Sequence, residues 1–284
     1  MAQMSSSSSS EEVMRKRLKP NPSPSQVLDA IRSVYHVNPE QDVKILASLE
    51  SYDDCNYCVE LNGSKYLAKI YNGVETANYL RYLNQDKDGS SRPSAIHLYS
   101  CIFTHLQQYD TVKTSIPLQI PRKDKEGEDH PLQGDFVSIH SMPVTSQEDS
   151  PSQVALCLLS WVEGYTMSSK RINVETLAQA GQYLGNVCLA MDHLPEYGQK
   201  AAMRYHAWDT RNTLDLEPFV QYITTEDRRS LVMSVLDAFR KELVEPKVDF
   251  RKGVLQGDFN DANILLDQDG NVDGVIDFGD STYR

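Results

Sequence analysis

Apolar and polar positions change rhythm three times along the chain. Val27, Leu28, Ile31, Val34 and Tyr35 fall at helical spacing, with Ser25 placed to cap the helix and Asn38-Pro39 placed to end it. The rhythm then becomes strand-like. Val43–Leu49, Tyr57–Leu61 and Ser64–Ile70 read as three strands, the last two joined by Asn62-Gly63, a strong two-residue hairpin signal. A polar stretch, Asn84–Arg92, leads into a helix from about Ser94 to Gln108. Ile116 to Trp161 reads as two or three further strands, with a charged insert at Arg122–His130 and a loop at Thr145–Gln153. Its apolar run Val154–Leu159 is a buried strand. Beyond Gly164 the pattern turns helical. Val174–Leu194 sets Leu177, Ala180, Leu184, Val187 and Met191 on one face, and Leu216–Thr224 and Thr225–Val244 carry further helices. Two short apolar strands, Ala262–Leu266 and Val272–Ile276, close the pattern around an Asp267–Asn271 hairpin turn.

The fold class expected from this order is α+β in two lobes. An antiparallel-sheet N-terminal lobe spans residues 25–162 and a mainly helical C-terminal lobe spans 163–284. Residues 1–24 are Ser- and Pro-rich, with a small basic cluster at Arg15-Lys16-Arg17, and are expected to be a disordered tail.

Composition narrows the function classes. With 284 residues the chain can bury a large core, and 40% hydrophobic with 24% charged residues is ordinary for a globular protein. A net charge of −12 argues against a nucleic-acid binder and against anionic membranes, and mildly favours a cationic substrate. No apolar run approaches a membrane span and no signal core opens the chain, so a cytoplasmic location is expected. The five cysteines are scattered and odd in number, unlike a disulfide framework. Cys55 and Cys58 form a C-x-x-C with no second pair to complete a metal site, in a segment that reads as the start of a strand.

The chemistry is concentrated near the C-terminal end. Gln256-Gly257-Asp258-Phe259-Asn260-Asp261-Ala262-Asn263 is followed, after the hairpin, by Asp277-Phe278-Gly279-Asp280. An Asp, an Asn five residues later and then Asp-Phe-Gly is the spacing of a kinase catalytic loop and metal-binding turn. Phosphoryl transfer needs a carboxylate to orient the attacking hydroxyl, which suits Asp258. It also needs hard oxygen ligands to hold Mg²⁺ against the phosphates, which suits Asn263 and Asp277. A second Gln-Gly-Asp-Phe at residues 133–136 has His140 where Asn263 stands and no Asp-Phe-Gly after it, and reads as structural.

Upstream, Leu67-Ala68-Lys69-Ile70 places Lys69 in the third strand, where kinases carry the lysine that binds nucleotide phosphates. The loop Ser51-Tyr52-Asp53-Asp54-Cys55-Asn56 occupies the position of a phosphate loop but has no glycine. Its backbone N–H groups and Ser51 could face phosphates, while Asp53 and Asp54 would repel them unless turned away. Trp161-Val162-Glu163-Gly164 is placed to be the hinge between lobes, with Trp161 and Glu163 near the nucleotide base. The helix over 94–108 has no acidic residue to pair with Lys69, and Glu75 is the only nearby candidate. Arg204–Arg211 is polar and aromatic, a candidate substrate contact.

Taken together these motifs resemble the aminoglycoside phosphotransferase-like small-molecule kinases, over residues 25 to 284. The Ser-Tyr-Asp-Asp-x-Asn loop is similar to that of the hydroxylysine kinase branch. The resemblance implies a protein-kinase-like fold, Mg²⁺, and transfer of the γ-phosphoryl of GTP (or ATP) to the hydroxyl of 5-hydroxy-L-lysine. It implies Asp258 as catalytic carboxylate, Asn263 and Asp277 as metal ligands and Lys69 as phosphate anchor. Asp280 and Asp209 are then partners for substrate amines, and Arg204 or Arg211 for its carboxylate.

Three departures accompany the resemblance. Gln256 stands where the family usually has His, the helical Glu is missing, and the chain ends at Arg284 where relatives continue into further helices. The C-terminal lobe is therefore expected to be incomplete and to expose apolar surface. Alternatives are a homoserine-, choline- or aminoglycoside-type kinase, or a nucleotide-binding protein without turnover. A protein kinase ranks lower, because Gly257 replaces the Arg that reads a phosphorylated activation loop.

Overall fold

The computed structural model describes residues 12–37, 43–85, 94–120, 136–145, 152–204, 206, 209–247 and 249–284. A first helical turn, α1, covers residues 12–17, and α2 runs Pro24–Val34. Three antiparallel strands follow, β1 (Val43–Leu49), β2 (Cys55–Leu61) and β3 (Ser64–Ile70), and then α3 (Gly73–Gln85) and α4 (Ala95–Leu106). Strands β4 (Ser138–Met142) and β5 (Ser152–Ser160) complete a five-stranded antiparallel sheet in the order β1-β2-β3-β5-β4.

After the sheet come β6 (Tyr165–Thr166), α5 (Val174–Asp192), α6 (Glu196–Ala202), a 3-10-type helix over Thr210–Tyr222, and α7 (Glu226–Phe239) continued by a π-type turn over Arg240–Val244. The chain closes with β7 (Val254–Leu255), β8 (Ile264–Leu266), β9 (Val272–Val275) and β10 (Thr282–Tyr283). An antiparallel sheet followed by helices is the α+β order expected. Among the described residues no helix is long and apolar enough to cross a membrane.

Several expectations need correction. The tail reading of residues 1–24 fails for its described part. Asn21 N–H donates to Pro143 O, Thr145 N–H donates to Lys19 O, and Pro20 bridges Val144. The N-cap of α2 is Ser23, not Ser25. Ser23 forms a full capping box with Gln26, and Pro24 takes the first turn, where its missing N–H costs nothing. Helices α3 and α6 were not anticipated. Asn84 of the supposed polar connector lies in α3, while the Asn38-Pro39 stop, the 122–130 insert and the Gln133–Asp135 copy lie outside the described residues. Ser152 and Gln153 belong to β5 rather than to a loop, and Leu177 of α5 is 52% exposed rather than inward. Leu189, Tyr222, Leu231 and Val235 are likewise exposed apolar side chains on the helical half.

Two cores explain how the site is held. One packs Val27 and Ile31 of α2 with Tyr35 against Val59, Ala68, Ile70, Leu156 and Leu158 on one face of the sheet. The other packs Ile96, Ile102, Phe103 and Leu106 of α4 against Ala155, Cys157 and Leu159 on the opposite face. The same cluster takes in Val187 and Met191 of α5, Val275 and Phe278. Helix α4 is thus buried along nearly its whole length, joining the sheet to the Asp277 turn. That burial explains its lack of an acidic residue, since a carboxylate there would have to be desolvated and paired.

Candidate active site

The β8–β9 hairpin sets Asn263 just before one strand and Asp277 just after the other, and Ile276 N–H donates to Asn263 O at 2.9 Å to bring them together. Asn263 Nδ2 donates to Asp258 Oδ2 (2.8 Å) and to Asp258 O (3.0 Å). Both partners are acceptors, so the amide orientation is fixed with its nitrogen toward Asp258. Asn260 Nδ2 donates to the other Asp258 oxygen at 2.8 Å, while Asn260 Oδ1 accepts from the N–H groups of Ala262 and Asn263.

Gln256 ties this loop to the metal-type turn. Its Oε1 accepts from Asp258 N–H (2.7 Å) and its Nε2 donates to the carbonyls of Ile276 and Asp277. One neutral amide therefore does the bracing, with no titrating ring required. Gly257 has φ +89°, and a Cβ there would lie 2.2 Å from Asp280 O, so the position demands glycine for both conformation and space. Asp277 itself adopts φ +56°. Its Oδ1 accepts from Tyr99 O–H (2.8 Å) and Gly279 N–H (3.0 Å). Burial works to raise the Asp277 pKa, but Lys69 and these two donors outweigh it and hold the carboxyl below its ordinary value.

Lys69 is buried at 7% exposure on the same side of the sheet, its ammonium 5.5 Å from the Tyr71 ring centre and 5.6 Å from that of Tyr99. Burial opposes its charge, yet Asp54 and Asp277 reverse that effect and raise its pKa above the usual lysine value. Its ion-pair partner is Asp54 at 2.8 Å, not Glu75. Glu75, in the first turn of α3, pairs with Arg15 instead. Asp54 is doubly engaged, because its Oδ1 also accepts from Asn72 N–H at 2.8 Å. Asn72, fully buried, donates from Nδ2 to Arg15 O and Asp53 O and accepts from Val74 N–H.

Asp54, Asn72, Tyr99 and Arg15 are the residues sequence reasoning missed as part of the site. A signal for Asp54 was present. The Asn62-Gly63 turn fixes the β2–β3 register as Leu61 opposite Ser64 and Asn56 opposite Lys69. Asp54, two residues before Asn56 and just ahead of β2, becomes a same-face diagonal neighbour of Lys69.

The remaining candidates are scattered in their engagement. The Ser51 and Tyr52 carbonyls accept from Lys19 Nζ (2.6 and 3.0 Å). A recess of about 810 Å³ lies beside this loop, lined by residues 19–21 and by Ser48 to Tyr52, and not at Asp258. Trp161 N–H donates to Lys65 O, and Glu163 is an exposed partner of Lys65 at 3.0 Å. Gly164 has φ +147°, and a Cβ there would sit 2.8 Å from Leu266 O, so the chain between β5 and β6 runs hard against β8. Asp280 pairs with His206 at 3.2 Å, and Arg204 donates to Gly279 O. Asp209 is the buried cap of the 210–222 helix and pairs with Arg211 (2.6 Å) and Arg284 (3.4 Å), so Asp209 and Arg211 engage each other. Tyr205, Ala207 and Trp208 of the polar-aromatic segment lie outside the described residues.

The donor set fits a hard divalent cation. Asn263 has its nitrogen turned to Asp258, and Asp277 uses Oδ1 for its two donors, so Asn263 Oδ1 and Asp277 Oδ2 take no hydrogen bond among the described residues. Two free oxygens suit Mg²⁺, which is commonly bound by few protein ligands together with phosphates and water.

The chain is similar to several known proteins. Hydroxylysine kinase of Danio rerio is 24% identical over 275 residues, covering 93% of this chain and 67% of that protein. Hydroxylysine kinase of Mus musculus is 25% identical over 138 residues, 44% of this chain and 36% of that protein. Among solved structures, a microcompartment-associated aminopropanol kinase superposes with a TM-score of 0.57 at 15% identity, covering 91% of this chain and 70% of that one. The GDP complex of wild-type aminoglycoside 2'-phosphotransferase-IIIa does so with 0.56 at 14%, covering 92% and 74%. The sequence profile of the phosphotransferase enzyme family (APH) matches residues 136–284, more than half of the chain and all of the 256–280 site. With the loop, the hairpin and the Asp-Phe-Gly turn all inside that match, the chain belongs to the phosphotransferase enzyme family.

Proposed function

We propose that this protein transfers the γ-phosphoryl group of a nucleoside triphosphate, GTP or ATP, to the hydroxyl of 5-hydroxy-L-lysine or a closely related amino alcohol. The nucleotide lies between an N-terminal lobe, residues 25–162, and a C-terminal lobe, residues 163–284. The observation that carries the reading is the linked placement of Asp258, Asn263 and Asp277, with the Lys69 ammonium against Tyr99 and within the field of Asp277.

In this reading Asp258 orients the acceptor hydroxyl and takes its proton as the new P–O bond forms, while the bond from the γ-phosphorus to the bridging oxygen breaks and the nucleoside diphosphate leaves. Asn260 and Asn263 keep both of its oxygens aimed. Lys69 neutralises phosphate charge from the sheet side, and Trp161 and Glu163 lie at the edge of the base site. Asn263 Oδ1 and Asp277 Oδ2 would hold Mg²⁺, which supplies charge neutralisation on the phosphates. The chain's net charge of −12 and the carboxylate Asp280 favour a cationic acceptor. Similarity to hydroxylysine kinases supports the amino-alcohol assignment. Five cysteines with no disulfide among them accord with a cytoplasmic protein.

The test is a screen of GTP and ATP against hydroxylysine, homoserine, choline and an aminoglycoside, with Asp258→Ala as control. Turnover is expected with hydroxylysine and should be lost in Asp258→Ala. Turnover that Asp258→Ala leaves intact would remove Asp258 from the mechanism. A preference for another acceptor would keep the kinase reading and replace the substrate.

A further inference from the structure

The acidic loop over Ser51–Asn56 stands where phosphates should approach, yet it carries two carboxylates and no glycine. Its compatibility with a nucleotide depends on what those carboxylates do. Asp53 Oδ2 accepts from Arg15 at 2.7 Å, and the same guanidinium reaches Glu75 on α3. Asp54 holds Lys69 with one oxygen and the Asn72 N–H with the other. Lys19 gathers the Ser51 and Tyr52 carbonyls. The segment bearing Arg15 and Lys19 is itself anchored, since Arg15 O accepts from Asn72, Leu18 O accepts from Gly73 N–H and Lys19 O accepts from Thr145 N–H. Arg15 and Lys19 thus link the N-terminal segment to the loop, and Asp54 links the loop to Lys69.

We propose that residues 12–19 form a positioning strap for the phosphate site. Arg15 and Lys19 fix the 51–54 loop, and Asp54 on that loop fixes Lys69 in the role that a helical glutamate would otherwise fill. The proposal rests on the kinase reading above and names its second layer. The physical reason is electrostatic. Lys69 is buried and needs a counter-charge before nucleotide arrives, and α4, the helix that would supply it, is buried along nearly its whole length. Asp54 supplies that charge from the neighbouring strand end, and Arg15 offsets the excess negative charge its neighbour Asp53 brings. Asp54 and Arg15 are positioning residues, acting through Lys69 and the loop.

The experiment uses the whole chain, Mg²⁺ and non-hydrolysable GTP and ATP analogues, with affinity read by calorimetry and loop order by amide hydrogen exchange. Asp54→Asn is expected to weaken analogue binding about tenfold, the loss of roughly one charge-assisted contact's worth of Lys69 positioning. Arg15→Gln should weaken it less and should speed exchange across residues 51–56, with Arg15→Lys recovering part of both. A merely structural role would lower thermal stability without moving affinity, and unchanged affinity in both Asp54→Asn and Arg15→Gln overturns the proposal. Tighter binding in Asp54→Asn also overturns it, because Asp54 would then be blocking the phosphates. Should the parent and Lys69→Ala bind the analogues equally poorly, the kinase reading itself falls. Exchange in Arg15→Gln separately reports whether the strap holds the loop, and no change there overturns the strap.

Discussion

The loops over residues 256–263 and 51–56 are both polar, but they are held in opposite ways. The first is braced mainly from within. Gln256, Asn260 and Asn263 bond to backbone and side chains of the same loop, and Gln256 also reaches the adjoining 276–281 segment. The second is braced from outside, by Arg15 and Lys19 from upstream and by Lys69 and Asn72 from downstream. Local bracing makes a loop rigid as soon as its hairpin forms. Remote bracing makes a loop as rigid as the tertiary contacts that deliver its partners, and so leaves it open to control by a distant segment.

That contrast can be broken or sharpened by substitution. The largest effect is expected for Asp258→Ala, about 10²–10⁴-fold in phosphoryl-transfer rate with analogue binding retained, checked by steady-state kinetics beside calorimetry. Gly257→Ala should destabilise the chain by about 3 kcal/mol, because a positive φ and a 2.2 Å clash with Asp280 O act together. Denaturant unfolding measures it, and a loss under about 0.5 kcal/mol would mean the loop relaxes freely, contrary to local bracing.

Gln256→Leu leaves the Asp277 carbonyl and the Asp258 N–H without their partner and should cost about 1–3 kcal/mol. Gln256→His, which keeps hydrogen-bonding capacity, should cost less in the same measurement. Arg15→Gln should cost about 1 kcal/mol and speed exchange in 51–56 while leaving 256–263 unchanged. Equal loosening of both loops would mean that the two are braced alike.

The smallest effect is pH-dependent. Burial tends to raise the Asp209 pKa, but the bonds from Arg211 outweigh it and hold the carboxyl below its ordinary 3.8. A depressed folded pKa means that this stabilisation is present above about pH 3.8 and is lost as pH falls through the folded value. Asp209→Asn should therefore be less stable than the parent by about 1 kcal/mol at neutral pH, with the gap closing in the acid range below that value. A gap that stays constant down to the acid limit would remove the charge from the account and leave only the helix cap.

How much was legible in the sequence follows the same division. β1 and β3 were read residue for residue, because period-two patterning and an Asn-Gly turn are local signals. The 256–280 motif was legible because its spacing is set by one loop and one hairpin. Helix α3 was missed because Gly73 opens it and its apolar pattern is weak, while its actual start signal, the Asn72 side chain accepting from Val74 N–H, looks like any loop Asn. Leu177 was assigned inward by periodicity alone, which marks a face but not what covers it.

The partner of Lys69 shows where sequence stops. Chain order offered Glu75, six residues away, and the folded chain gives Lys69 to Asp54 and Glu75 to Arg15. The sequence by itself determined β1 and β3, the hairpin register, the loop chemistry and the family. Only the tertiary structure decided which charges neutralise which, because ion pairing in a buried site depends on distance and desolvation across elements that the chain brings together only when it folds.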